Sequence, residues 1–484
     1  MGRTSQPAAT ASVCRLWAIG SLALLTGWTT CSATAAATTP ATASASATAN
    51  ATAATPAKVT STATPAAAAT PASGPPLRVW TRSSNDGRKT YDAIARAFTQ
   101  QTGIAIEYFN ATTDFEQRLA RAAVGRDLPD VIINDGGSLG AFVSMGIVSP
   151  IDKAQIKGGA DLHARAWHTA TLPDGRVFAV PTSAQAHVLF VRRDWREQLG
   201  LPPPRTWDEV ATLARAFTRD DPDRNGRADT YGFVLPGGTA RGYTAWFLSS
   251  FLFQAGGDFV ALNAQGHGHA TLATPAAHQT VAFFKRLLCE DRSAQPGAIN
   301  ASTQEANRAF ISGQAGIYLS GPYHIALFDK EPGKSRVEVL PAPAGPQGLR
   351  ATLAGGELAY LTRTTTRRAD AQRFIEFLIS PAGQRLGTRP PAGGLPVVRL
   401  PVNRLLDAGA AHDDPRWDLV AAEYLKHGQA LPLLPNSARV QQIAADGFNA
   451  LLARCDSDVP AGLKTLNTRV DAELARQRVL DRKP

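Results

Sequence analysis

From residue 77 onward, short apolar or alternating runs are followed by stretches in which apolar residues recur every three or four positions, the pattern of strands followed by helices. Leu77-Arg78-Val79-Trp80 alternates as a strand does and runs into the polar turn Ser83-Ser84-Asn85-Asp86-Gly87. Tyr91, Ile94 and Phe98 then share one helical face, and Gly103 is placed to stop that helix. Residues 104–108 read as a second strand, 115–124 as a second helix and 129–133 as a third strand. A β-α-β-α-β order predicts parallel strands joined by right-handed crossovers, with polar groups gathered beyond the carboxyl ends of the strands. Here those groups are Ser83, Ser84, Asn85, Asn134 and Asp135. They are hydroxyls, amides and a carboxylate, not a glycine-rich phosphate cradle.

Residues 177–181 and 187–191 read as two more strands, and the polar spacer Thr182-Ser183-Ala184-Gln185-Ala186 between them reads as a crossing between lobes. Thr206-Trp207-Asp208-Glu209 carries a Thr-x-x-Glu capping box ahead of Val210, Leu213 and Phe217, so a helix starts there. Further helices are expected over 243–255, 276–289 and 302–311, and strands over 315–319, 336–340 and 358–361. A helix over 369–379, stopped by Pro381, presents Phe374, Phe377 and Leu378 on one face. The fold class is α/β in two units, and 484 residues suffice for two or three domains.

The N-terminal region departs from this pattern. Arg3 and Arg15 precede the apolar run Leu16-Trp17-Ala18-Ile19-Gly20-Ser21-Leu22-Ala23-Leu24-Leu25, which is too short to span a bilayer and has the form of a signal-peptide core. Cys31, in Gly27-Trp28-Thr29-Thr30-Cys31, stands where a bacterial lipobox would place a lipidated cysteine, with Trp28 at the position usually held by Leu, Val or Ile. Cleavage near Ala33-Thr34-Ala35 without a lipid is the alternative. Residues 32–76 are almost wholly Ala, Thr, Ser and Pro, too poor in large apolar groups to repay the entropy of ordering, and read as a disordered tether. The expected location is the periplasm or the cell surface.

Charge adds little. Of the formal +10, Arg3, Arg15 and Lys58 fall before residue 77, which leaves +7 on the body, scattered in pairs such as Arg192-Arg193 and Arg367-Arg368. Without a basic stripe and interleaved aromatics, a nucleic-acid partner is not expected. The body keeps two cysteines, Cys289 and Cys455. Either a bridge between them or a buried free thiol at Cys289 fits an exported chain.

Asp221-Pro222-Asp223-Arg224-Asn225-Gly226-Arg227-Ala228-Asp229 has an EF-hand-like spacing. Oxygens of Asp221, Asp223, Asn225 and Asp229 fall at loop positions 1, 3, 5 and 9, Gly226 at 6 and the Arg227 carbonyl at 7, with Gly232 in place of the acidic residue at 12. A structural calcium ion is the cofactor this suggests, against a plain Asp/Asn/Gly turn. His267-Gly268-His269 supplies too few ligands for a metal.

The order of several phrases along the chain resembles the family 1 extracellular solute-binding proteins of ABC importers, the maltose-binding-protein-like group. The phrases are Leu77-Arg78-Val79-Trp80, Pro129-Asp130-Val131-Ile132, Thr206-Trp207-Asp208-Glu209, Tyr231-Gly232-Phe233, Ala255-Gly256-Gly257, Phe310-Ile311-Ser312-Gly313-Gln314-Ala315-Gly316-Ile317, Gly321-Pro322-Tyr323 and Gly355-Gly356-Glu357-Leu358-Ala359. The resemblance implies a two-lobed periplasmic-binding-protein fold, each lobe an α/β sheet, closing by a hinge on a sugar or oligosaccharide and presenting it, as a monomer, to an ABC permease in the inner membrane. It implies a first lobe over 77–184 with a contribution from about 325–365, and a second over 185–324 with helices from about 366–484. It also implies a structural role for calcium at the Asp221 loop.

On the family pattern the site draws on Ser83, Ser84, Asn85, Asn134, Asp135 and Gln185, then on Tyr243 and Trp246 as aromatic platforms. Tyr323 stands for the Trp of a common Gly-Pro-Trp phrase, Gly355-Gly356-Glu357 carries a carboxylate where an indole is frequent, and Arg439 occupies a late loop expected to close one end of the cleft. A forked guanidinium there would suit a carboxylate or phosphate, so an anionic or phosphorylated polyol is the alternative ligand. Glu357 and Asp135 could also be read as the acid and base of an exported hydrolase, but the sequence has no nucleophile elbow, zincin helix or phosphate-binding loop, and no enzyme is expected.

Overall fold

The computed structural model describes residues 74–112 and 114–481. The expected leader over 1–31 and the expected tether up to residue 73 lie outside the described residues. Among the described residues no helix is long and apolar enough to cross a membrane.

The opening units form as their spacing predicts. Strands β1 (Leu77–Thr81), β2 (Ile106–Asn110) and β3 (Val131–Asp135) are parallel, with Leu77 opposite Ile106 and Val79 opposite Val131. Between them run the helices Asn85–Thr102 and Phe115–Val124; the first buries Tyr91, Ile94 and Phe98 and ends on Gly103 at φ 75°, a left-handed turn that glycine takes without strain. Strand β4 (Val180–Ala186) follows, and its seven residues are all buried. The polar stretch expected as a spacer is therefore strand. Its side chains find partners inside the sheet: the Thr182 hydroxyl donates to the Glu357 carbonyl at 3.1 Å, and Ser183 Oγ accepts from the Arg399 amide at 3.0 Å.

His187 alone separates β4 from β5 (Val188–Arg192), which belongs to a different sheet. The later strands are β6 (Tyr231–Phe233), β7 (Val260–Leu262), β8 (Gly268–Ala270), β9 (Ala315–Ser320), β10 (Val337–Leu340), β11 (Thr352–Leu361) and β12 (Gly428–Gln429). The first sheet runs β12-β11-β3-β1-β2 with β4 also on β11, and β11 is antiparallel to both β3 and β4. The second sheet runs β10-β5-β9-β6, and β7 pairs with β8. In β5 the residues Leu189 and Val191 belong to one apolar core while Val188 and Phe190 belong to the other, the alternation expected of a strand buried on both faces.

Three sequence assignments change. Helix Arg368–Ile379 packs on the first sheet's layer, with Phe374 and Phe377 against Phe98 at 5.2 and 5.6 Å between ring centroids, not with the second lobe. Pro381 does not only stop that helix; it opens the next, Pro381–Thr388, capped by Ser380, because a proline needs no amide donor in a first turn. Strand β10, expected with the first lobe, pairs with β5 of the second sheet. The capping box at Thr206 forms with both reciprocal bonds, and a second at Ser302 and Glu305 opens helix Thr303–Ile311.

Cys289 and Cys455 are joined by a disulfide, so the free-thiol alternative falls. The bond ties the turn after helix Pro275–Lys285 to the segment after helix Ser437–Leu452, 166 residues apart. Replacing both cysteines by serine is expected to lower the unfolding free energy by about 2–5 kcal/mol, read from urea titration, because the unfolded chain regains the freedom of a long loop. An unchanged midpoint would show that the bond constrains nothing.

Candidate functional site

The site begins where the first sheet's strands end. Arg82 follows β1, and its amide donates to the Ile133 carbonyl, which holds it beside the end of β3. Its guanidinium pairs with Asp135 and reaches Glu116 of helix Phe115–Val124 at 3.7 Å. Burial alone would lower the Arg82 pKa; the Asp135 and Glu116 carboxylates and Tyr243 outweigh it and hold the group charged. Asn134 is buried, donating to Ser138 Oγ at 3.0 Å and weakly to Glu116 at 3.4 Å, while its Oδ1 has no partner.

Strand register then sets Glu357 of β11 opposite Asp135 on one side and Ser183 on the other, and Gly355 opposite Gln185. Gly356 allows this close pairing, since a Cβ there would stand 2.0 Å from the Ser183 carbonyl oxygen, whereas a Cβ on Gly355 would meet open space. Both glycines thus lie in a strand and not in a turn. Glu357 is buried, ion-paired to Arg399 at 2.6 Å, and accepts from the Tyr91 hydroxyl at 3.0 Å. Burial, reinforced by Glu357, pushes the Tyr91 hydroxyl well above its ordinary value, so it stays a donor. Arg399 lies 5.9 Å from the centroid of the Tyr323 ring. Its own pKa, which burial would lower, is raised by Glu357 and more distantly by Asp135.

The second half of the molecule reaches this charged floor from above. Tyr243 opens helix Tyr243–Gln254 and lies against Arg82, and Arg241 just before it reaches Glu116 at 3.9 Å. Trp246 is half-buried and packs on both apolar cores, its indole edge-to-face with His187 at 5.9 Å. Gln185 is buried with Oε1 unpartnered, as are Nε2 of His187, Nδ1 of His324 and Nε of Arg399. Such atoms are costly to leave bare, which marks the junction of the two sheets as a place where another molecule's polar groups belong.

Of the residues singled out in the sequence, Asn134, Asp135, Gln185, Tyr243, Trp246, Tyr323, Gly355, Gly356 and Glu357 gather here. Ser83 stands beside Arg82, but Ser84 is exposed and caps helix Asn85–Thr102 through its hydroxyl at 3.1 Å, and Asn85 is that helix's exposed first residue. Arg439 is not at the cleft: it is exposed on helix Ser437–Leu452 and faces Arg469 and Arg476 of the last helix. The loop expected at Pro435-Asn436 leads straight into that helix, so the side chain is carried to its outer face.

Sequence reasoning missed Arg82, Glu116, Tyr91, Arg399 and His187. Arg82 adjoins the polar turn and a charge at a strand's end was its signal; Arg399 and Tyr91 come from distant segments and carried none.

The Asp221 loop is held by its own N–H groups. The amides of Asn225 and Gly226 donate to Asp221 at 3.1 and 3.0 Å, and the Asn225 side-chain amide donates to Asp223 at 2.9 Å and Asp229 at 3.1 Å. The carboxylates do approach one another, since burial and then Asp221 raise the Asp223 pKa. The Asn225 side chain lies between the Asp223 and Asp229 carboxylates and closes the loop as an Asx-type turn. Among the described residues no three acidic, histidine or cysteine side chains are arranged to hold a metal.

His187 and His324 are buried and held neutral, burial lowering each to about 3. In the unfolded chain each would titrate near its ordinary value, so below about 6.5 the unfolded state takes up protons that the native state refuses. Stability is expected to fall as pH drops from 6.5 towards 3, by up to about 1.4 kcal/mol per pH unit for each histidine. Urea midpoints at pH 7, 5 and 4 check this, and His324→Gln should flatten the slope. An unaltered slope in that variant and in His187→Gln would contradict the assignment.

Residues 82–385 match the family model of the bacterial extracellular solute-binding proteins. Relatives include the fructooligosaccharide ABC transporter substrate-binding protein FusA of Streptococcus pneumoniae, 24% identical over 53% of this chain and 50% of that one. The polygalacturonan/rhamnogalacturonan-binding protein YtcQ of Bacillus subtilis is 26% identical over 42% of each. The chain spans about half the length of the curated relatives it matches. Among solved structures, the GacH receptor of Streptomyces glaucescens, determined unliganded and with acarbose, superposes with TM-score 0.70 at 19% identity, over 84% of this chain and 99% of that one. Maltose-bound T. maritima MalE3 superposes with TM-score 0.69 at 22% identity, over 82% and 99%. At these identities the structural likeness establishes the two-lobed fold.

Proposed function

The chain belongs to the bacterial extracellular solute-binding protein family, and on that premise we propose that it captures a sugar or oligosaccharide between its two sheets and delivers it to an ABC permease in the inner membrane. The observation that carries this reading is the pair of arginine–carboxylate assemblies, Arg82 with Asp135 and Glu116 and Arg399 with Glu357, each beside a tyrosine, Tyr243 or Tyr323. Planar charged groups exchange paired hydrogen bonds with vicinal hydroxyls, and aromatic faces take the C–H faces of a sugar ring. Because the arginines are balanced by carboxylates, the site suits a neutral polyhydroxyl ligand. The fructooligosaccharide and acarbose or maltose named for the relatives are of that class.

The anionic-polyol alternative rested on Arg439, which is not part of this cluster. Asp135 and Glu357 are each committed to an arginine, so neither is free to act as the acid or base of a hydrolase. The ligand is bound and released unchanged. The protein works exported, as a monomer, either lipidated on Cys31 or cleaved near Ala33-Thr34-Ala35 without a lipid.

Calorimetric titration of the purified chain against neutral oligosaccharides, uronides and glycerol phosphodiesters tests the reading. Expected is saturable binding of a neutral sugar at about micromolar affinity, with the sugar recovered intact and the affinity weakened about tenfold or more by Arg82→Ala. Binding of anionic compounds alone, or turnover of any ligand, would contradict it. Calcium and chelator are expected to leave the melting temperature equal, the Asp221 turn being closed by its own amides; a clear rise with calcium would restore the metal reading.

A further inference from the structure

Arg439 is one of three arginines lining a concavity between the last two long helices. Arg439 and Ile443 come from helix Ser437–Leu452, and Arg469, Ala472 and Arg476 from helix Val459–Arg476; the space between them is about 300 Å³. The spacings of four, and of three and four, put each set on one helical face. Arg476 has a carboxylate partner, Glu473 on its own turn at 2.5 Å. Among the described residues neither Arg439 nor Arg469 has an ion pair or a side-chain hydrogen bond.

Elsewhere in the molecule arginines brought close together share carboxylates, as Arg82 and Arg241 share Glu116 and as Arg215 and Arg286 share Asp291. In this groove the guanidinium groups outnumber their acids, and an anion held there would offset their mutual repulsion. Ile443 and Ala472 lie between the arginines, and Arg439, Arg469 and Arg476 are themselves exposed, so the groove is open to a ligand from solution. Forked N–H donors from two facing helices match the several oxygens of a tetrahedral oxyanion, and a concavity of this size admits such a group with a substituent. We propose that this groove binds a phosphate-type oxyanion, a phosphate monoester or diester, at a site separate from the saccharide cleft. The proposal stands whether or not the cleft takes a sugar. Free phosphate compounds and phospholipid head groups offer the same chemistry, and the experiment separates them.

The purified full chain is titrated calorimetrically with inorganic phosphate at constant ionic strength, with chloride as the control. In parallel it is sedimented with vesicles of phosphatidylglycerol mixed into phosphatidylcholine and of phosphatidylcholine alone. Both arms are repeated with Arg439→Ala/Arg469→Ala and with Arg439→Lys/Arg469→Lys, each checked for an unchanged melting curve; the lysine pair keeps the charge and loses the fork. A saturable phosphate response weakened at least about tenfold by the alanine pair, and less by the lysine pair, is expected and assigns free phosphate. The same variant sensitivity confined to the phosphatidylglycerol vesicles assigns the head group. No response in either arm, or one that the alanine pair leaves unchanged, overturns the proposal.

Discussion

The Glu357–Arg399 ion pair is the interaction on which the site depends. Glu357 sits on β11 at the point where that strand pairs with β3 and β4 at once, and the register shifts there between Glu357 and Leu358. A carboxylate so placed cannot be left bare, because the loss of hydration outweighs anything ordinary packing returns. Arg399 and Tyr91 supply its hydrogen bonds, one from a loop far down the chain and one from the first helix. The Arg399 amide is fixed in turn by Ser183 of β4. One buried charge thereby locks four segments of the first lobe into a common floor.

That floor is met by the second lobe through a few polar contacts. Tyr243 and Arg241 approach Arg82 and Glu116 from the start of one helix. The chain passes between the sheets at His187, whose amide donates to the Leu353 carbonyl and whose carbonyl accepts from Thr352, so that the crossing is stitched to the start of β11. The two lobes also share apolar packing, since one core runs from Leu77 and Val79 of the first sheet to Phe190 and Tyr318 of the second, and the charge pairs fix where they meet.

Periodicity made the elements legible. The helix from Phe115 to Val124, the capping box at Thr206 and the strand from Ala315 follow from residue spacing alone, because burial of one face dictates them. The stretch from Thr182 to Ala186 was illegible for the opposite reason: its Thr182 and Ser183 side chains are satisfied by Glu357 and Arg399, which are remote in sequence. The site divides the same way. Asp135, Gln185 and Glu357 could be named because strand ends and motif order expose them, whereas Arg399 and Tyr91 are brought in by tertiary packing that no local pattern encodes. Arg439 was misplaced because a loop residue and a first-turn helix residue look alike until the helix axis is known.

The most direct test is a double-mutant cycle on Glu357 and Arg399 that reads unfolding free energy and saccharide affinity together. Each single replacement, Glu357→Leu or Arg399→Met, strands a buried charge and is expected to cost about 3 kcal/mol of stability, while the double replacement regains most of it. Saccharide binding is expected to be lost in all three. A double variant that binds the sugar as the unaltered protein does would show that the pair serves packing alone and contradict the account.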